Sequence, residues 1–187
     1  MGEEGMALRP DPVFPGTQQH LLLCQWAQLE GWENGAEIGV LKGKTLFNLL
    51  DACPDLHMIG VDQWHHLPPS SEPGSEHYRK FNMERIAADV RARAETYSPR
   101  CLILRMDSVS AAECVEDGSL DFVFVDASHT YPAVRADIMA WAPKVKETGY
   151  VCGHDWNWPS VERALHEVVP GWEKHEENVW RIAKAAL

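Results

Sequence analysis

Apolar residues along this chain fall in short runs that alternate between two periods. Ala36 to Val40, Met58 to Asp62, Cys101 to Met106, Leu120 to Val125 and Gly149 to Cys152 read as strands. The run Leu120 to Val125 is continuous, which suits a strand covered on both faces. Helical spacing fills the gaps. Thr17 is placed to cap a helix through Leu29, with Leu21, Leu22, Cys24, Trp26 and Leu29 as its apolar positions. Thr45 to Cys53 reads as a second helix, and Met83, Ile86, Val90 and Ala94 mark a third. Ser110-x-x-Glu113 has the form of a capping box opening a short helix. Pro132 suits the first turn of a helix that turns Val134, Ile138 and Trp141 inward, and Ser160 to Val168 forms another. Gly171 to Glu173 and Val179 to Arg181 flank Glu176-Glu177-Asn178 as a hairpin. The pattern predicts an α/β fold, a doubly wound, mostly parallel seven-stranded sheet with a C-terminal antiparallel hairpin and helices on both faces.

The 187 residues suit a single domain over 1–187, with residues 1–16 as an extension rich in Gly and Pro and 17–30 as a leading helix. An apolar fraction of 45% in interrupted runs is globular composition. No run reaches the roughly 18 apolar residues of a membrane span, and Glu3 and Glu4 break any signal-peptide order. A cytoplasmic protein that engages no membrane is the expectation. Five cysteines, odd in number and never paired as C-x-x-C, are read as free thiols. The net charge of −11 would repel phosphate backbones, so nucleic acid is excluded as a partner and a cationic ligand or metal ion favoured.

Chemistry concentrates where the strands end. Glu37 and Gly39, Asp62, Asp107, Asp126 and His154-Asp155 follow one another at these positions. In an open parallel sheet, ligands bind beyond the carboxyl ends of the strands, so all five strands deliver carboxylates toward one rim. One such Asp is as often a turn or cap residue. Five in register repel one another unless a cation or donor groups neutralise them.

Glu37-Ile38-Gly39-Val40-Leu41-Lys42-Gly43-Lys44-Thr45 resembles the first motif of class I S-adenosylmethionine (SAM)-dependent methyltransferases, an acidic residue followed by G-x-x-x-G-x-T. Asp121 to Tyr131, with Asp126-Ala127-Ser128-His129 at its centre, resembles the fourth-strand motif of the small-molecule O-methyltransferase branch (family 24). Trp141-x-Pro143, Gly149-Tyr150-Val151 and Gly153-His154-Asp155 extend the resemblance over residues 33 to 183. It implies a Rossmann-like sheet and SAM as cofactor. Glu37 would neutralise the donor's ammonium, Gly39, Gly43 and Thr45 would admit its methionine end, and Asp62 would hold the ribose hydroxyls. Asp107 and Ser108 would meet adenine, and Asp126 would lie beneath the sulfonium. Related enzymes often pair, so a homodimer is an assembly the resemblance allows.

A hydroxyl acceptor must lose a proton. His129, three residues beyond Asp126, is a candidate catalytic base together with Asp126. Alternatively Asp126, Asp155 and His154 would hold Mg2+ or another divalent cation that acidifies the small-molecule acceptor. Metal-dependent relatives usually carry Asp-Asn or Glu-Asp where this chain has His154-Asp155. His65, His66 and His77 are read as loop histidines, and Trp64, Trp156 and Trp158 as candidate walls of an acceptor pocket. Residues 64–78 have the length of a lid. Four rival readings stand beside this one, among them a SAM-binding remnant without catalysis. His129, His154 and a carboxylate could make a two-histidine iron site for hydroxylation. Gly39-x-x-x-Gly43-Lys44-Thr45 is one residue short of a P-loop, and the glycine spacing does not fit a nicotinamide fingerprint.

Overall fold

A computed structural model describes residues 18–66 and 78–187. The expectations for residues 1–17, for His77 and for most of the lid lie outside the described residues. The strands are β1 (Asn34–Ile38), β2 (His57–Val61), β3 (Cys101–Leu104), β4 (Leu120–Val125), β5 (Val145–Gly153), β6 (Glu173–Lys174) and β7 (Trp180–Ala183). The helices are α1 (Gln19–Glu30), α2 (Lys44–Ala52), α3 (Met83–Glu95), α4 (Ser108–Glu113), α5 (Tyr131–Trp141) and α6 (Pro159–Val168). A short 3-10 turn covers Glu176–Asn178.

The seven strands form one sheet in the order β3-β2-β1-β4-β5-β7-β6. The first five run parallel, and β7 and β6 close the edge antiparallel, as the hairpin pattern predicts. Chain order reverses between β1 and β4, which opens a crevice beyond their carboxyl ends. β4 shows why its run is continuous. Phe122 and Phe124 pack with α1, α2 and α3, while Val123 and Val125 pack with α4, α5 and α6. All four are within 5% of complete burial, and each contributes about 1.5–3 kcal/mol by leaving water. No helix among the described residues is long and apolar enough to cross a membrane.

Two local expectations are corrected. α1 buries Leu23, Cys24, Trp26 and Ala27, while Leu21 and Leu29 face outward. α4 begins at Ser108, before the expected box, because Asp107 accepts the Ser110 N–H at 2.9 Å and is the cap.

Candidate active site

Register aligns the strand ends. Ile38 pairs with Val61 on one side and Val125 on the other, Val61 with Leu104, and Val125 with Gly153. The residues that follow therefore emerge along one rim, around a cleft of about 680 Å³. Glu37, Gly39, Thr45, Asp62, Asp107, Ser108, Asp126, His129, His154 and Asp155 all line it. Of the expected site residues, Gly43 alone does not. It caps α2 at φ 74°, where a side chain would strike the Phe47 ring, so its role is the turn.

Glu37 lies inside β1, 2% exposed. It accepts the Leu46 backbone N–H, tying β1 to the first turn of α2, and its pKa is pushed well up by burial and by the Asp126 charge. Its Oε2 has no hydrogen-bond partner among the described residues. Gly39 stands at φ 96°, and a Cβ there would lie 2.1 Å from the Asp126 carbonyl oxygen. Only glycine lets the β1 turn pass this close to the end of β4.

Asp62 organises the loops on either side of it. Its Oδ2 accepts the Leu41 N–H at 2.8 Å and its Oδ1 the Trp64 N–H at 2.7 Å. Both partners are non-glycine residues at positive φ, and Trp64 Nε1 donates to the Leu41 carbonyl at 2.8 Å. Trp64 is thus a buried loop anchor rather than a pocket wall, and Trp156 and Trp158 do not line the cleft.

At the far end, Asp126, His154 and Asp155 converge, with one candidate ligand atom from each lying within 4.8 Å of the others. Burial raises the pKa of Asp126 to about 6, and neighbouring Asp155 adds to the rise, against His154, His129 and a hydrogen bond from Gln19. Burial also opposes ionisation of Asp155, yet its carboxylate stands below the usual range. Its Oδ2 meets both His129 Nε2, at 2.8 Å, and His154 Nδ1, at 3.0 Å, and these bonds outweigh the burial. Burial lowers and the Asp155 bond raises the pKa of His154, with a net rise. His154 Nε2 donates to the Glu177 carbonyl at 2.8 Å, which turns Nδ1 toward Asp126 and Asp155. That nitrogen and two carboxylates are a donor set that fits a divalent cation.

His129 stands outside this convergence. It bonds Asp155 and stacks on Trp158 at 4.7 Å between ring centroids. Among the described residues the converging set holds one histidine, so the two-histidine iron reading gains no support. Gln19, Lys42, Lys44, His65, His66 and Asp137 also line the cleft without having been expected there. Asp137 was visible as an acid among the inward positions of α5; for Gln19 the sequence holds no signal.

A family model described as a methyltransferase domain matches residues 36–156. A curated relative, the uncharacterized protein y4gI of Sinorhizobium fredii, is 34% identical over 97 residues. That match covers 52% of this chain and 10% of the relative, so the chain spans about a tenth of the curated protein's length. Among solved structures, a candidate caffeoyl-CoA O-methyltransferase from Staphylococcus aureus aligns with TM-score 0.65 and 15% identity, over 91% of this chain and 84% of that one. The O-methyltransferase TomG from Streptomyces achromogenes, in complex with SAM, aligns with TM-score 0.61 and 15% identity, over 88% and 79%. The methyltransferase PaMTH1 from Podospora anserina, bound to S-adenosylhomocysteine (SAH), aligns with TM-score 0.61 and 13% identity, over 87% and 76%. At such identities the likeness establishes the shared fold.

Proposed function

This chain belongs to the family of methyltransferase domains, and from that premise we propose that it moves a methyl group from SAM to a hydroxyl oxygen of a small molecule. The observation that carries the reading is Glu37. A carboxylate is held 2% exposed at the foot of the cleft with one oxygen unpartnered among the described residues, an arrangement that calls for a cationic group such as the donor's ammonium. Two of the similar structures hold SAM or SAH, which supports the same donor.

In this reading Glu37 binds the ammonium, and the start of α2 with Thr45 faces the donor's carboxylate. Asp62 already holds two backbone amides and has lone pairs left for the ribose hydroxyls. Asp107 and Ser108 border the base, and Asp126 lies beneath the positive sulfur. The acceptor oxygen displaces the sulfur at the methyl carbon in line, so the cleft's main task is alignment.

The acceptor's proton goes to His129. Asp155 accepts the Nε2–H and orients the ring, so the proton arrives at Nδ1 and the imidazolium is held by the same carboxylate. Asp126, His154 and Asp155 would hold a divalent cation, magnesium or a similar hard ion, which when bound makes an acceptor hydroxyl more acidic.

Calorimetric titration of the full chain with SAM, ATP and NADH, with and without magnesium, tests the assignment. Saturable SAM binding is expected. Binding of ATP or NADH in its place would overturn it.

A further inference from the structure

One buried acid of the cleft takes no part in the chemistry above. Asp137 lies on α5, 5% exposed, and lines the cleft beside Asp107 and Ser108. Trp141 follows it by four residues, so both project from the same face of the helix. Trp141 Nε1 donates to the Ser108 Oγ at 2.9 Å and to the Ser108 carbonyl at 3.1 Å. The hydroxyl that accepts from Trp141 also neighbours the Asp137 carboxyl and draws its pKa down against the rise from burial, so the free hydrogen of Ser108 is placed to face that carboxyl. Two successive turns of α5 thus meet at one serine.

The surroundings suit a flat ring. Met106, Val109, Ala133 and Ala136 line this part of the cleft, and the two alanines keep the surface of α5 low. The Asp107 side chain accepts the Ser110 N–H through one oxygen, which fixes it to the start of α4. The polar edge beside a ring is the segment from Asp107 to Val109, and its placement depends on what holds Ser108. Telling one purine from another requires edge groups fixed to about 0.5 Å. A loop start gripped at one side chain from two directions provides that.

We propose that Asp137 is a positioning residue for base recognition, holding Ser108 so that residues 106–109 discriminate adenine from a 6-oxopurine. The proposal rests on the donor reading above. A 6-oxopurine presents a hydrogen-bond acceptor where adenine has its amino donor, and a donor at the neighbouring ring nitrogen. A rigid edge leaves both unpaired and rejects the ligand, whereas a loosened edge adapts to either.

The test measures the affinity of the full chain for SAH and for its hypoxanthine counterpart, S-inosylhomocysteine, by calorimetry. Wild type is expected to favour SAH by roughly tenfold or more, the scale of one mismatched polar contact. Asp137→Ala and Ser108→Ala should each shrink that ratio to a few-fold, and the double variant should shrink it no further, because both act through one bond. Asp137→Asn, which keeps an oxygen for the serine hydroxyl, should retain the wild-type ratio and serves if the alanine variant fails to fold. A ratio unchanged in Asp137→Ala and in Ser108→Ala overturns the proposal while leaving the donor reading intact. So does additive loss in the double variant. Absence of any SAH binding by wild type overturns the donor reading and the proposal with it.

Discussion

Two adjacent carboxylates at the reacting end of the cleft are driven in opposite directions by their partners. Asp126 is buried and faces a second carboxylate, so its pKa rises to about 6, whereas Asp155 is gripped by two histidines and stays ionised. That division assigns Asp155 to orienting His129. Once an acceptor hydroxyl that supports turnover is in hand, His129→Ala should lower kcat by about 10²–10⁴-fold, the usual worth of a positioned base, with SAH affinity intact. Undiminished turnover would remove His129 from the mechanism. Asp137 carries a second prediction. Burial, and then the charge of Asp107, raise its pKa to about 6 despite the Ser108 hydrogen bond. Its folded pKa thus exceeds the unfolded one, so its stabilising contribution is full below about pH 4 and is lost as pH rises through about 6. Asp137→Asn has no such loss. In urea unfolding its stability relative to wild type should climb by up to about 3 kcal/mol between pH 4 and 7; a flat difference would contradict the assignment. The rim acids were legible in the sequence because Asp62, Asp107, Asp126 and Asp155 follow apolar runs and Glu37 is the one acid set within such a run. Asp137 and Gln19 were not assigned, since a helical pattern shows which way a residue faces but not that the same face borders a cleft.

Elements were legible in kind and order, and less so in their limits. β1 starts two residues earlier than its apolar run suggests. Asn34 and Gly35 are poor strand formers, yet they pair with His57 and Met58, and the Phe122 ring occupies the space a Cβ at Gly35 would need. A long-range contact decides that boundary, and no local pattern reports it. The capping box failed for a related reason, because Asp107 stands one residue before the helix and a carboxylate caps well. Gly39 is the junction where element packing and the site meet. Gly39→Ala would place a methyl group against the Asp126 backbone at φ 96°. It should cost at least about 2 kcal/mol in denaturant unfolding and weaken SAH binding, because β1 and β4 must separate at their ends. A variant as stable as wild type would show that those ends are free to part.

Seen whole, a chain of net charge −11 gathers buried acids at one rim of its sheet, and this makes ligand binding and stability parts of one equilibrium. Glu37, Asp126 and Asp137 all have raised pKa values, with burial the largest cause in each case. Acids of this kind stabilise the fold most when protonated, so the ligand-free protein should lose thermal stability as pH rises from about 4 through about 6. Asp155, held low, contributes in the opposite sense only as pH falls below the usual carboxylate range. SAM brings two positive groups, one to Glu37 and one to Asp126, and favours the ionised form of each. Binding near pH 6 should therefore release protons, visible as an enthalpy that changes with the ionisation heat of the buffer, and saturating SAM should flatten the pH dependence of the melting temperature. SAH lacks the charge on sulfur but keeps the ammonium. It should release fewer protons than SAM, and Asp126→Asn should abolish the difference between the two ligands while Glu37→Gln reduces release by both. Equal proton release by SAM and SAH in wild type would mean that Asp126 does not face the sulfur, and the reacting centre would then have to lie elsewhere along the rim.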